Sequence, residues 1–157
     1  MTKTIEHLLS PDIIVVFDVD GVLAPYEWGE NYKHCMSDEE WDNRLADGED
    51  IYAKIHPLKI FQAFIMGKGP DKCYVCSKTG TAEKESKRKF IKQYEIADDH
   101  IHFVKNKADK IKVLDEIQKQ LNIPAKNIAI VEDTVETLDN IAAARDYMTI
   151  HISSFLT

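Results

Sequence analysis

Residues 15–24 read VVFDVDGVLA: an apolar run stops at Asp18, a second carboxylate follows at Asp20, and Gly21 then releases the chain. Aspartate and glutamate are rarely fully buried unless they are paired or bound to a metal. Two of them at the mouth of an apolar strand therefore call for a cation. Taken alone, the same pattern also describes a strand end meeting water. The rest of the chain decides between the two.

Outward from this stretch, short β-rich runs alternate with helical patterns. Strands are predicted over 13–17 (IIVVF), 73–76 (CYVC), 101–104 (IHFV), 128–131 (IAIV) and 148–152 (MTIHI). Between them, 56–66, 81–94, 109–121 and 135–145 carry helical spacing, clearest in Ile111, Val113, Leu114, Ile117 and Leu121. Strands alternating with helices, several of the strands nearly all apolar, predict a parallel sheet covered on both faces. The expected fold is a three-layer α/β/α sandwich with a mainly parallel, Rossmann-like sheet. Residues 25–50 interrupt the alternation, with aromatics, acids and one helix over 38–45 opened by Ser37. They read as a small flap inserted after the first strand.

The bulk properties agree with one domain over 1–157: the chain has 157 residues, 44% hydrophobic and 30% charged. No apolar stretch reaches the length of a membrane span, and 13–17 is too short for a signal-peptide core, so the default compartment is cytoplasmic. The net charge of −7 argues against an extended nucleic-acid surface. The one basic cluster, KESKRKFIK at 84–92, is interleaved with Glu83 and Glu85 and reads as the wet face of a helix. Three cysteines make no disulfide framework. Cys73 and Cys76 sit three apart in a strand, which sends them to opposite faces, so they read as core residues rather than a metal or redox pair.

In open parallel sheets ligands bind beyond the carboxyl ends of the strands. Here those ends carry Asp18 and Asp20, then Ser77, then a lysine-rich turn (KNKADK), then Glu132 and Asp133. Phosphate and a divalent cation require such groups. This ordered set resembles the haloacid dehalogenase superfamily of phosphotransferases from Ile13 to about Ile152. FDVDGVL matches its first motif, VCS its second, a lysine opening a helix its third and IVEDT its acidic fourth; Glu132-Asp133 departs from the commoner Gly-Asp form but matches acidic-pair variants.

The resemblance implies a Mg²⁺-dependent phosphatase with Asp18 as the nucleophile that forms an aspartyl phosphate. Asp18 and Asp133 would hold Mg²⁺, with the Asp20 backbone carbonyl as a third ligand and Glu132 nearby. The Asp20 side chain would serve as general acid and base. Gly21 would let the backbone turn so that amides face the phosphate. Ser77 would donate to a phosphoryl oxygen, with Thr79 as the less favoured substitute. Lys110 follows a good N-cap, Asp109, and begins the helix, so it is preferred over Lys107 as the phosphate-facing cation. Glu136 and Asp139 read as a solvated helix face.

Two other classes compete. A phosphorelay receiver would place adjacent acids after the first strand and its phosphoacceptor later, the reverse of the order here. A catalytically weak interaction protein on the same fold is the alternative, though every required side chain is present. The expected partner is a small-molecule phosphate ester, with nucleotides and phosphorylated ends of larger molecules also admitted by so small a flap. Whether Tyr26, Trp28, Tyr32 and Trp41 close over substrate or pack the flap stays open, as does a homo-oligomer.

Overall fold

The computed structural model describes residues 1–26 and 35–156. Five strands, β1 (Ile14–Phe17), β2 (Cys73–Lys78), β3 (Ile101–Val104), β4 (Ile128–Glu132) and β5 (Met148–His151), form one sheet in the order β3-β2-β1-β4-β5. Every pairing is parallel, as the sequence leads one to expect. Among the described residues six α-helices accompany them: α1 (Lys3–Leu9), α2 (Asp38–Ala46), α3 (Lys59–Lys68), α4 (Lys84–Lys92), α5 (Lys110–Leu121) and α6 (Val135–Ala144).

Strand alternation divides the core into two layers. Val15, Phe17, Cys73, Val75, Ala129 and Val131 face one side, where Leu8 of α1, Phe61, Phe64 and Ile65 of α3, and Phe90 and Ile91 of α4 cover them. Ile14, Val16, Cys76, Ile128 and Ile130 face the other, covered by Val113, Leu114 and Ile117 of α5 and by Leu138 and Ile141 of α6. Cys73 and Cys76 thus fall on opposite faces, both buried and unpaired, and burial pushes each thiol up to about 12. This is the behaviour of packing residues, not of reactive thiols.

Several boundaries differ from the sequence reading for identifiable reasons. Pro57 keeps the residue before it extended, so α3 begins at Lys59 rather than at 56. The segment 81–94 splits into a 3₁₀ turn (Thr81–Glu83) and α4. The N-terminal segment, to which the sequence reading assigned no element, forms α1, capped by the Thr2 hydroxyl, which accepts from the Ile5 amide. In the insertion, α2 starts as expected, with the Ser37 hydroxyl accepting from the Glu40 amide at 3.2 Å. Trp28 and Tyr32 lie outside the described residues. Among the described residues no helix is long and apolar enough to cross a membrane.

Candidate active site

The chain leaves β1 toward β2 on one side and returns past it, from β3, to β4 on the other. Crevices at such a reversal of strand order open at the carboxyl ends of the strands, here of β1 and β4. Asp18 follows β1 directly, tied to β4 by its amide donating to the Val131 carbonyl at 3.0 Å. Glu132 closes β4, and Asp133 follows it. Carboxylate oxygens of Asp18, Glu132 and Asp133 lie within 4.8 Å of one another.

Lys110 enters this group from the first residue of α5. Its Nζ donates to Asp18 Oδ1 at 3.1 Å and to Glu132 Oε2 at 2.6 Å, and the residue is only 1% exposed. Burial alone would pull its pKa down, but the charges of Asp18 and Glu132 outweigh it and hold the ammonium above its ordinary range. Lys107, the other candidate, is exposed in the preceding turn and makes no described ion pair. One expectation about this helix start fails: Asp109 occupies the N-cap but its side chain caps nothing. It adopts helical angles in a 3₁₀ turn and accepts from Lys112 and Asn106 instead.

With all three carboxyls ionised, one ammonium would leave two negative charges uncompensated, and the all-oxygen donor set suits a hard divalent cation. The cluster shows this imbalance. Burial, followed by the charge of Asp18, pushes the Glu132 carboxyl up to about 8 despite the opposing pull of Lys110. The donor set therefore fits Mg²⁺.

Gly21 has φ +77°, and a Cβ there would stand 2.3 Å from Asp133 Oδ2 and 2.7 Å from the Tyr26 ring. Only glycine lets β1's exit loop approach Asp133 so closely. The Gly21 amide itself is not free to face a ligand, because it donates to the Ala24 carbonyl at 2.8 Å. The amides in this turn that enter none of the described hydrogen bonds are those of Val19, Asp20 and the fully buried Leu23, of which the first two lie next to Asp18 in the chain. The Tyr26 hydroxyl donates to Asp133 Oδ2, and His151 Nε2 lies 3.2 Å from the Asp133 carbonyl oxygen. Burial and this bond push the Tyr26 phenol well above its ordinary value.

The Asp20 side chain does not join the carboxylate cluster. It turns the other way, accepting from the Tyr52 hydroxyl at 2.6 Å on Oδ1 and pairing with Lys87 Nζ at 2.8 Å on Oδ2, and remains 35% exposed. Lys87 corrects the view of 84–92 as a wet helix face: it is 0% exposed, although its neighbours Lys84 and Lys89 are exposed. Neither Lys87 nor Tyr52 emerged from the sequence. Tyr52 lies in a short turn just after the insertion, with no periodicity to read, and the charge pattern of α4 gave no reason to single out one lysine of four.

Ser77 lies inside β2, which runs two residues further than expected, and is buried; its hydroxyl makes one described hydrogen bond, to the Lys78 carbonyl at 3.4 Å. The structure thus brings Asp18, Lys110, Glu132 and Asp133 into one cluster, sets Asp20 beside it, and gives Ser77 no bond to any of them. Thr79 donates to the Ser77 carbonyl and accepts from Lys87 at 3.2 Å. Of the insertion, Trp41 packs edge-on against Tyr52 and donates from Nε1 to Glu83 Oε2 at 2.8 Å. Beside Asp20, a pocket of about 280 Å³ is lined in part by Tyr26, Met36, Trp41, Ile55 and Glu83.

No family model and no curated protein matches the sequence. Solved structures match the fold. The cobalt-bound deoxy-D-mannose-octulosonate 8-phosphate phosphatase from Haemophilus influenzae aligns over 90% of this chain and 69% of its own, with TM-score 0.54 and 16% identity. The N-terminal part of the protein BF1531 from Bacteroides fragilis, containing a phosphatase domain complexed with Mg, aligns over 92% of this chain but 38% of its own, with TM-score 0.54 and 17% identity. At such identities the likeness is one of fold. This chain shares its α/β fold with these two phosphatase structures.

Proposed function

We propose that the protein is a phosphomonoester hydrolase of the haloacid dehalogenase type, using Mg²⁺ and an aspartyl-phosphate intermediate on Asp18. The observation that carries this reading is the buried Lys110 ammonium shared between Asp18 and Glu132 at the mouth of the sheet, with Asp133 completing an oxygen cluster. A nucleophilic carboxylate meets an anionic phosphate there only if positive charge is supplied. Lys110 is one such source. Asp18, Asp133 and Glu132, with the Asp20 carbonyl, would hold Mg²⁺, which when bound offsets the charge of the phosphoryl oxygens.

In the first step an Asp18 oxygen attacks phosphorus while the bond from phosphorus to the ester oxygen breaks, and Asp20 gives that leaving oxygen a proton. In the second, Asp20 takes a proton from water, the water oxygen attacks phosphorus, and the bond to Asp18 breaks to release phosphate. The Val19 and Asp20 amides would bind phosphoryl oxygens, and Ser77 would donate to one if its hydroxyl turns from the Lys78 carbonyl.

The substrate class stays broad: a small phosphometabolite, with a nucleotide or phosphorylated chain end in second place. A phosphosugar belongs in the first screen, since one similar structure is named for such a substrate. The test is turnover of an activated aryl phosphate by purified protein with Mg²⁺, its loss in EDTA, and its loss by several powers of ten in Asp18→Asn. An acid-quenched phosphoprotein should form with wild type and be absent from the variant. Turnover by Asp18→Asn at the wild-type rate would remove Asp18 from the reaction.

A further inference from the structure

Asp20 is held from behind by two buried groups that come from separate parts of the chain. Lys87 Nζ, on α4, lies 2.8 Å from Asp20 Oδ2, 3.0 Å from the Lys78 carbonyl, 3.2 Å from Thr79 Oγ1 and 3.7 Å from Glu83 Oε1. An ammonium has three protons, and the three nearest acceptors use them all. Lys87 therefore has no donor left for a phosphate, nor is it exposed to one. Tyr52, 1% exposed in the turn Ile51–Lys54, donates its hydroxyl to the other Asp20 oxygen at 2.6 Å, and its ring lies 5.7 Å from Lys87 Nζ. The two donors do not meet Asp20 by chance of surface proximity, because a lysine buried this completely needs such partners to stay charged.

Both Asp20 oxygens are thus fixed, yet each keeps a second lone pair for a proton or a water. A carboxylate that must meet a leaving oxygen within hydrogen-bond distance gains most from this restraint. A misplacement of about 1 Å can cost 10²-fold in rate. Glu83 extends the support: it accepts from the Gly80 amide at 3.0 Å and from Trp41 Nε1 at 2.8 Å, so the clamp is anchored both to the loop after β2 and to the insertion.

We infer that Lys87, assisted by Tyr52, is the positioning residue for Asp20, holding its carboxylate toward the leaving-group oxygen and toward the water of the second step. This rests on the reading of Asp20 as the general acid and base. The inference assigns Lys87 a role distinct from that of Lys110: one lysine serves the nucleophile and phosphate, the other the proton donor.

The experiment compares kcat/KM, which reports phosphoenzyme formation, for an activated aryl phosphate and an alkyl phosphate in wild type, Asp20→Asn, Lys87→Met, Tyr52→Phe and the double variant Asp20→Asn/Lys87→Met. Lys87→Met should slow the alkyl ester by about 10²-fold and the aryl ester by less than tenfold, because only the poor leaving group needs the proton. Tyr52→Phe, which keeps the packed ring, should shift the same ratio in the same sense by a smaller factor. In the Asp20→Asn background Lys87→Met should add less than a further threefold, since a group that acts through Asp20 has nothing left to position. A clamp with a merely structural role would slow both esters equally and multiply with Asp20→Asn. Either result overturns the inference while leaving Asp20 in place. Wild type inert toward both esters, or equal losses of the two in Asp20→Asn, would overturn the reading of the site and the inference with it.

Discussion

Lys110 and Lys107 lie three residues apart in one lysine-rich turn, yet burial separates them completely. Lys110→Ala should lower kcat/KM by about 10²–10³-fold, as for other single electrostatic donors, whereas Lys107→Ala should change it less than about twofold. Circular dichroism must accompany the assay, because removing Lys110 leaves Asp18 and Glu132 buried without their cation. The reverse ranking would return the role to Lys107. Gly21 gives a second contrast. Gly21→Ala places a methyl 2.3 Å from Asp133 Oδ2 at a positive φ, so it should weaken Mg²⁺ binding by at least about tenfold by calorimetry, and unchanged affinity would detach Asp133 from the metal. At this scale the acids and Lys110 were legible because their places at strand ends and a helix start are functions of spacing. Lys87 was not, because spacing shows which face of a helix a lysine occupies but not that Asp20, 67 positions earlier, comes to meet it.

Helix α2 illustrates what an element's own sequence can and cannot specify. Its cap was readable, since Ser37 precedes an acidic first turn of Asp38, Glu39 and Glu40, which also suits the positive end of the helix dipole. No residue of the helix is fully buried, and only Trp41 and Leu45 pack against the core, so α2 opens at a lower free energy than the sheet does. Ser37→Ala should therefore leave the global urea midpoint within error while raising amide exchange across α2 by about fivefold, the equivalent of about 1 kcal/mol for a lost cap. A shift of the global midpoint by the full amount would mean that α2 unfolds with the core. The short α1 escaped reading because seven residues hold too few turns for periodicity to register, and the start of α3 was missed where Pro57 overrode an apolar pattern that runs through it. The ends of β2 and β4 ran past their apolar stretches into Ser77, Lys78 and Glu132, since parallel pairing with β3 and β5 continues beyond the last apolar side chain. That extension puts two candidate site residues, Ser77 and Glu132, in strands rather than in loops.

The molecule as a whole was the most legible level, because five strands with a helical segment in each of the four intervals leave few ways to bury both sheet faces. Its response to pH and metal was not legible, since it depends on how many carboxylates share one buried lysine. Glu132 sits near 8 when folded and near 4.5 as an ordinary glutamate, so the folded protein binds its proton more tightly than the unfolded chain does. In EDTA this group therefore opposes folding increasingly as the pH rises from about 4.5 through about 8, by at most about 1.4 kcal/mol per pH unit. His102 works in the other sense, because burial holds its imidazole below the ordinary value and stability is gained as the pH rises through that range. Lys110 contributes nothing to the slope in this window, its ammonium being charged in both states. The difference between wild type and Glu132→Gln isolates the carboxyl: relative to the variant, metal-free wild type should lose stability steadily between pH 6 and pH 8 in urea titrations. Mg²⁺ competes with the proton for the same cluster. Its stabilisation of wild type should therefore grow across that range, and should grow less in the variant. A metal-free difference that stays flat from pH 6 to pH 8 would mean that Glu132 is ionised throughout, with Lys110 alone sufficient to balance it.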